Sequence, residues 1–261
     1  MTDYLQVILL GIVEGITEFL PISSTGHLLI AEHWLGARSD LFNVAIQSGA
    51  MLAVISVFWR RLLQLLQINV PEQRDYLLKL AFAFAVTAAG GLIAKRLGLA
   101  LPEELKPVAI ALIVGGIAIL VVEGLVARRA PSGEISWNVA FWVGACQILA
   151  AVFPGTSRSA ATIFAAMLAG TTLRPAATEF AFLVGVPTMF AATAFEALKL
   201  PAGQWAHEDM RAIALGFVVS AVVAFLSVKW LLRYVQSHRF TAFAWYRIIA
   251  GAALLAFAAQ R

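Results

Sequence analysis

Residues 14–27, EGITEFLPISSTGH, set two carboxylates four positions apart and follow them with a proline, three hydroxyls, a glycine and an imidazole. Residues four apart share one helix face, so Glu14 and Glu18 can point into one cavity. In low dielectric two such charges do not both stay ionised without help, which implies a bound divalent metal or strong proton sharing. Magnesium is typically held by one or two carboxylates plus substrate phosphates, so the pair suits a phosphate ester better than an all-protein cage. The structural alternative is a pair of carboxyls facing a wet vestibule for folding reasons. His27, on the far side of the proline, is expected within reach of the carboxylate face, where a catalytic role is favoured over that of a satisfied structural histidine.

A second cluster, PGTSRSAAT at 154–162, gathers Thr156, Ser157, Ser159 and Thr162 around Arg158. It parallels Ser23, Ser24 and Thr25 at the first break. Hydroxyls and free N–H groups at a helix start bind anions, although serine and threonine are also ordinary caps and turn formers. Arg158 is more pointed, because a guanidinium stays charged and presents a fork that fits two phosphate oxygens. Its structural alternative is an arginine held by helix-end carbonyls or by a glutamate.

The elements that must position these groups are apolar. Of 261 residues, 61% are apolar and 13% charged, with a mean hydropathy of +0.85, against about 45–50% and about 25% in soluble domains. Apolar stretches long enough to span a bilayer are expected near 42–59, 77–94, 107–126, 179–198, 212–232 and 243–260. Asp3, Glu14 and Glu18 argue against a cleaved leader at the start of the chain. The single cysteine, Cys146, excludes an internal disulfide and a multi-cysteine metal cluster. A net charge of +4 is too small to suggest nucleic acid. Ionisable groups at membrane depth are costly, which makes the two polar clusters functional-site candidates. Arg247, Glu196 and Glu123 are explained at least as well by helix pairing or snorkelling, and His33, His207 and His238 by the membrane edge.

Segments 4–36 and 137–170 are apolar yet broken, by Pro21 with Gly26 and by Pro154 with Gly155. Proline removes a donor and glycine allows positive φ, so each reads as helix, turn and shorter helix. Non-helical backbone at membrane depth is tolerated where protein buries it or it lines a wet cavity. Each break therefore predicts a re-entrant hairpin opening onto an aqueous pocket. Glu14 stands seven before Pro21 and Gln147 seven before Pro154; a shift of about 136 also lays 43–49 on 179–185 and Gly115 on Gly251. The expected fold is an all-α polytopic membrane protein in one domain, 1–261. Two inverted-topology repeats, about 1–126 and about 137–261, give six full transmembrane helices plus two re-entrant hairpins meeting near the midplane. Loop lysines and arginines divide 10 against 7, the larger set including Arg60, Arg61, Arg128 and Arg129 and the smaller set Lys95, Lys199 and Arg261. The positive-inside rule puts the larger set in the cytoplasm and both termini outside. Trp34, Trp59, Trp137 and Trp205 fall near segment ends as interfacial anchors.

The stretches 14–27 and 154–162 resemble the two signature segments of the bacitracin-resistance type of undecaprenyl-pyrophosphate phosphatase. The resemblance extends to AIQSGAMLAV at 45–54, EFAFLVGVP at 179–187 and YRIIAG at 246–251. It implies an integral enzyme of the bacterial cytoplasmic membrane that removes the terminal phosphate of undecaprenyl diphosphate. The lipid carrier is thereby recycled for peptidoglycan synthesis and bacitracin resistance conferred. The resemblance further implies a site open to the outer face and a divalent cation, Mg2+ or Ca2+. Carried over by residue, the acidic motif falls on Glu14 and Glu18, the serine and histidine on Ser24 and His27, and the phosphate-binding segment on Ser157, Arg158, Ser159 and Thr162. Ala160 departs from a common glycine and Asn43 from a common glutamate; the latter could alter a metal or hydrogen-bond contact.

Together these readings give Arg158 and the second loop as the diphosphate clamp, with Ser23 and Thr25 contributing from the first, and Glu14 and Glu18 as cation ligands. Three routes stay open: attack by His27, attack by Ser24, or a water activated by His27. Expected partners are a polyprenyl diphosphate and membrane lipids, with a homodimer as a further option. The rival is a polyprenyl-phosphate flippase or transporter, which would use inverted repeats without a nucleophile or metal.

Overall fold

A computed structural model describes residues 3–99, 104–199, 201, 205 and 208–259; His207 and Arg261 lie outside them. The described residues form eleven helices and no strands. Six are long and apolar enough to cross a bilayer: α3 (Asp40–Val57), α5 (Pro71–Arg96), α6 (Leu105–Val126), α9 (Arg174–Lys199), α10 (Met210–Ser237) and α11 (Thr241–Ala259). The chain is a multi-pass helical membrane protein. Each observed helix falls on an expected span, and α5, α9 and α10 run several residues past it. Polar end turns such as the one carrying Lys95 and Arg96 keep their helical hydrogen bonds beyond the apolar stretch, so hydropathy alone under-reads helix length.

The broken segments are α1 (Tyr4–Thr17) with α2 (Ser24–Leu35), and α7 (Trp137–Val152) with α8 (Arg158–Ala169). A short helix, α4 (Trp59–Leu65), follows α3 and was not expected from the sequence. After each break a serine caps the short helix in the same way. Ser23 Oγ accepts from the Gly26 N–H at 3.3 Å and Ser157 Oγ from the Ala160 N–H at 3.2 Å, each satisfying a donor left open in a first turn. Ser23 does so at φ +76°, the one non-glycine residue in the left-handed region of φ among those described. Such backbone costs on the order of 1–3 kcal/mol and persists where its surroundings over-determine it. At the second break the turn falls to Gly155 at φ +88°, where an added Cβ would lie 2.9 Å from the backbone of Val108.

The broken helices are wedged between the long ones. α1 packs on α10, α7 on α5, α3 against both α9 and α10, and α6 against α11. Lipid tails are as apolar as leucine, so such contacts depend on close approach of small residues. Gly144 of α7 would carry its Cβ 2.4 Å from the Ala83 carbonyl of α5, and Gly49 of α3 would carry one 2.4 Å from the Phe217 carbonyl of α10. The tryptophans at the segment ends are exposed, Trp34 most of all at 72%.

Gly49→Ala should therefore lower stability by about 1–3 kcal/mol, read as a lower midpoint of thermal unfolding in detergent. Gly124→Ala meets nothing within 4 Å and should leave the midpoint unchanged or raise it, by up to about 1 kcal/mol. Equal effects from the two would contradict the close α3–α10 contact.

Candidate active site

Glu18 sits at the end of α1, and its carboxylate joins the two breaks. Oε2 accepts from Ser24 Oγ at 2.5 Å, while Oε1 pairs with the guanidinium of Arg158 at the start of α8. Glu18 is 6% exposed, and in so dry a setting a carboxylate without its cation would be costly. The contact links residues 140 apart in sequence. Ser159 makes a second link, donating to the Leu20 carbonyl at 3.1 Å. The Arg158 guanidinium fits because Gly185 has no side chain: a Cβ there would lie 2.1 Å from Nη1.

Around this pair lies a polar cavity of about 230 Å³, walled by Glu18, Ser24 and Thr25 from the first break and by Thr156, Ser157 and Arg158 from the second. The first turns of α2 and α8 thus open onto the same space. N–H groups at a helix start favour anions, and a phosphate is the sort of ligand such a place accepts. α3, α5, α7 and α9 complete the wall with Gln47, Thr87, Gln147 and Thr188. None of the four was singled out as a site residue, although Gln47 falls within the segment 45–54 that carries part of the family resemblance. Gln147 left a sequence signal of its own, as the counterpart of Glu14 across the aligned breaks.

The remaining residues singled out from sequence are buried nearby or turned elsewhere. Glu14 is fully buried, its carboxyl lies against that of Glu18, and no protein donor reaches either oxygen. Ser23 is spent on its cap, and Thr162 donates to carbonyls of its own helix, that of Arg158 at 2.8 Å or that of Ser159 at 3.1 Å. His27 makes no hydrogen bond to Glu18, Ser24 or Arg158. Its Nδ1 donates to the Ser23 carbonyl at 2.7 Å, and its Nε2 therefore meets the Tyr246 hydroxyl, 2.6 Å away, as acceptor. The rings stack at 5.6 Å.

Other charges have structural partners. Arg247 is 1% exposed, which rules out snorkelling. It donates to the Pro21 and Gly155 carbonyls at 3.2 Å each, to Ala111 at 2.9 Å and to Leu112 at 3.3 Å. Glu123 pairs with Arg174, Nε to Oε1 at 2.9 Å, and accepts from the Phe240 N–H at 2.8 Å. Asn43 meets Glu32 and Glu179 meets Arg61 at 2.9 Å. Both aligned positions therefore serve contacts outside the polar cavity.

A multi-pass helical membrane protein with an ion-paired polar cavity where two broken helices meet is the class that fold and site define. The chain belongs to the family described as bacitracin resistance protein BacA, whose model matches residues 7–253. It is 60% identical over 258 residues to an undecaprenyl-diphosphatase of Rhizobium etli, covering 98% of this chain and 97% of that one. Proteins of the same name from Stenotrophomonas maltophilia and Xanthomonas oryzae pv. oryzae are 57% and 51% identical, each covering 98% of this chain and 97% of the relative.

Replacing Arg247 with lysine should leave at least one of its four carbonyls without a donor, at about 1–3 kcal/mol for each buried acceptor orphaned. Thermal unfolding in detergent should register the loss, beside an Arg233→Lys control at an exposed position. A variant as stable as wild type would mean that the breaks do not depend on this guanidinium.

Proposed function

We propose that this protein is an undecaprenyl-diphosphatase, hydrolysing undecaprenyl diphosphate to undecaprenyl phosphate and inorganic phosphate. In the cell this recycles the carrier for wall synthesis and confers resistance to bacitracin. The observation that carries the site assignment is Glu18, bonded at once to Ser24 of the first break and Arg158 of the second. That contact assembles a hydroxyl, a guanidinium and two helix starts around one cavity.

In this reading Arg158 and the N–H and hydroxyl groups of Ser24, Thr25, Thr156 and Ser157 hold the diphosphate oxygens. Fixed donors aimed at developing charge are the largest contribution such a site can make. Ser24 Oγ, already donating its proton toward Glu18, is placed to attack phosphorus or to orient a water. His27 reaches the chemistry only by exchanging its Tyr246 partner. Ser23, Ser159 and Thr162 act by holding the two loops in place.

The donor set fits a hard divalent cation, Mg2+ or Ca2+. Both Glu14 oxygens are buried without a donor, beside Glu18. No group of three or more His, Cys, Asp or Glu residues is found among the described residues, so phosphate oxygens and water would complete the shell. When bound, the cation supplies charge neutralisation on the transferred phosphoryl group.

The polyprenyl tail suits an apolar groove of about 630 Å³ between α6, α7 and α8, lined by Ile110, Val114, Leu149, Phe153 and Phe164. It shares Thr156 and Ser157 with the polar cavity. The reciprocal packing of α1 on α10 and α7 on α5, with Gly11 and Gly144 at the contacts, supports two inverted repeats with re-entrant hairpins. The 10 to 7 distribution of loop cations supports both termini lying outside the bacterial cytoplasmic membrane, and the family resemblance of the two signature segments supports a site facing outward.

Detergent-purified protein should release phosphate from a polyprenyl diphosphate and stop when a chelator is added. Glu18→Gln and Arg158→Ala should each lower kcat/KM by about 10²-fold or more. Well-folded wild type that releases no phosphate over a range of metals and lipids would overturn the hydrolase reading and turn attention to lipid transport across sealed vesicles.

A further inference from the structure

Gln147 lies on α7 in the wall of the polar cavity and is 3% exposed. Its amide Nε2 donates to Thr87 Oγ1 at 3.0 Å, whereas no protein donor reaches Oε1. The orientation of the amide is set by chemistry. Thr87 lies 3.0 Å from the Ala83 carbonyl and 2.9 Å from the Gly144 carbonyl, both acceptors only, and its single hydroxyl hydrogen is spent on them. It can therefore meet Gln147 only as an acceptor, which requires the NH2 end there and leaves the carbonyl oxygen without a partner. The close approach of α5 and α7 at Gly144 holds this chain of bonds in place.

A buried carbonyl oxygen without a donor costs about 1–3 kcal/mol. It also repels the phosphate oxygens that Arg158 and the helix starts attract. In this cavity its partner must carry a polarised hydrogen or a positive charge. We propose that Gln147 Oε1 accepts a hydrogen bond from the water that attacks phosphorus and so orients it.

The inference rests on the hydrolase reading but on none of its three routes in particular, since each ends in attack by water. In direct hydrolysis the water oxygen bonds to the terminal phosphorus. The bond to the bridging oxygen breaks, and that oxygen keeps the electron pair and leaves with the lipid monophosphate. A substrate trianion then gives the lipid monophosphate dianion and dihydrogen phosphate, which holds both water hydrogens. Through a phospho-enzyme, the same attack returns the electron pair to Ser24 Oγ or to the His27 nitrogen, which takes up one water proton. Gln147 gains no proton in either case.

The test is to turn over undecaprenyl diphosphate with glycerol as a competing nucleophile and to measure inorganic phosphate against glycerol phosphate. Wild type, Gln147→Ala and Thr87→Val, which frees the amide without removing its carbonyl oxygen, are compared. For Gln147→Ala, kcat for phosphate release should fall about 10- to 100-fold, as for a misplaced reactant. KM should stay within about twofold, and the glycerol phosphate share should rise several-fold. Thr87→Val should shift the product ratio in the same direction by less. A general packing defect would lower both products alike, so an unchanged ratio in both variants overturns the proposal. Mn2+ binding followed by electron paramagnetic resonance without substrate should be unaltered in Gln147→Ala; weakened binding would make the oxygen a cation ligand instead. Wild type that forms neither product removes the hydrolase reading, and this inference with it.

Discussion

A broken helix frees carbonyls from its own ladder, and Arg247 supplies donors for both breaks at once. Its guanidinium reaches Pro21 in the first turn, Gly155 in the second, and Ala111 and Leu112 on the helix between them. Such groups cost several kcal/mol each if left unsatisfied in hydrocarbon. The guanidinium lies over Gly115, where any Cβ would sit 2.1 Å from Nη2. With the turns fixed to α6 and α11, the starts of α2 and α8 open onto one space, and the cavity follows from that placement.

Charge is distributed on the same principle. Away from the breaks, buried or half-buried ions are closed off by partners: Glu123 by Arg174 and the Phe240 N–H, Glu179 by Arg61. At the breaks the closure is incomplete. Glu18 is paired with Arg158, yet Glu14 and the Gln147 carbonyl are buried beside or within the same cavity with no donor. Buried polar groups are ordinarily satisfied. Among the described residues six carry such an unpartnered buried atom, and two of the six, Glu14 and Gln147, stand at aligned positions of the two broken helices.

Much of the fold was legible because the physics that sets it is local. A run of apolar residues long enough for a bilayer becomes a helix wherever it occurs, and all six expected spans coincide with helices. Pro21 and Pro154 announce breaks, and a serine before each short helix announces its cap. α4 escaped notice because seven residues are too short for a periodic signal. Within the site, Glu18, Ser24, Ser157 and Arg158 converge as their motifs implied. Thr162 and Ser159 have the right residue types but bond to backbone: Thr162 turns back to a carbonyl one turn earlier in its own helix, and Ser159 reaches across to the Leu20 carbonyl of the first break.

The sequence by itself determined the membrane-spanning helices, the two breaks and the kinds of group gathered there, because hydropathy, proline chemistry and capping act over a few residues. Tertiary structure decided which of those groups face the cavity. His27 stands three residues after Ser24, yet it turns to Tyr246, 219 residues away, while Ser24 turns to Glu18. Gln47, Thr87 and Thr188 join the wall from three further helices, at positions no local spacing marked as part of the site. Each outcome depends on which helix packs behind a side chain, and no spacing along the chain encodes that.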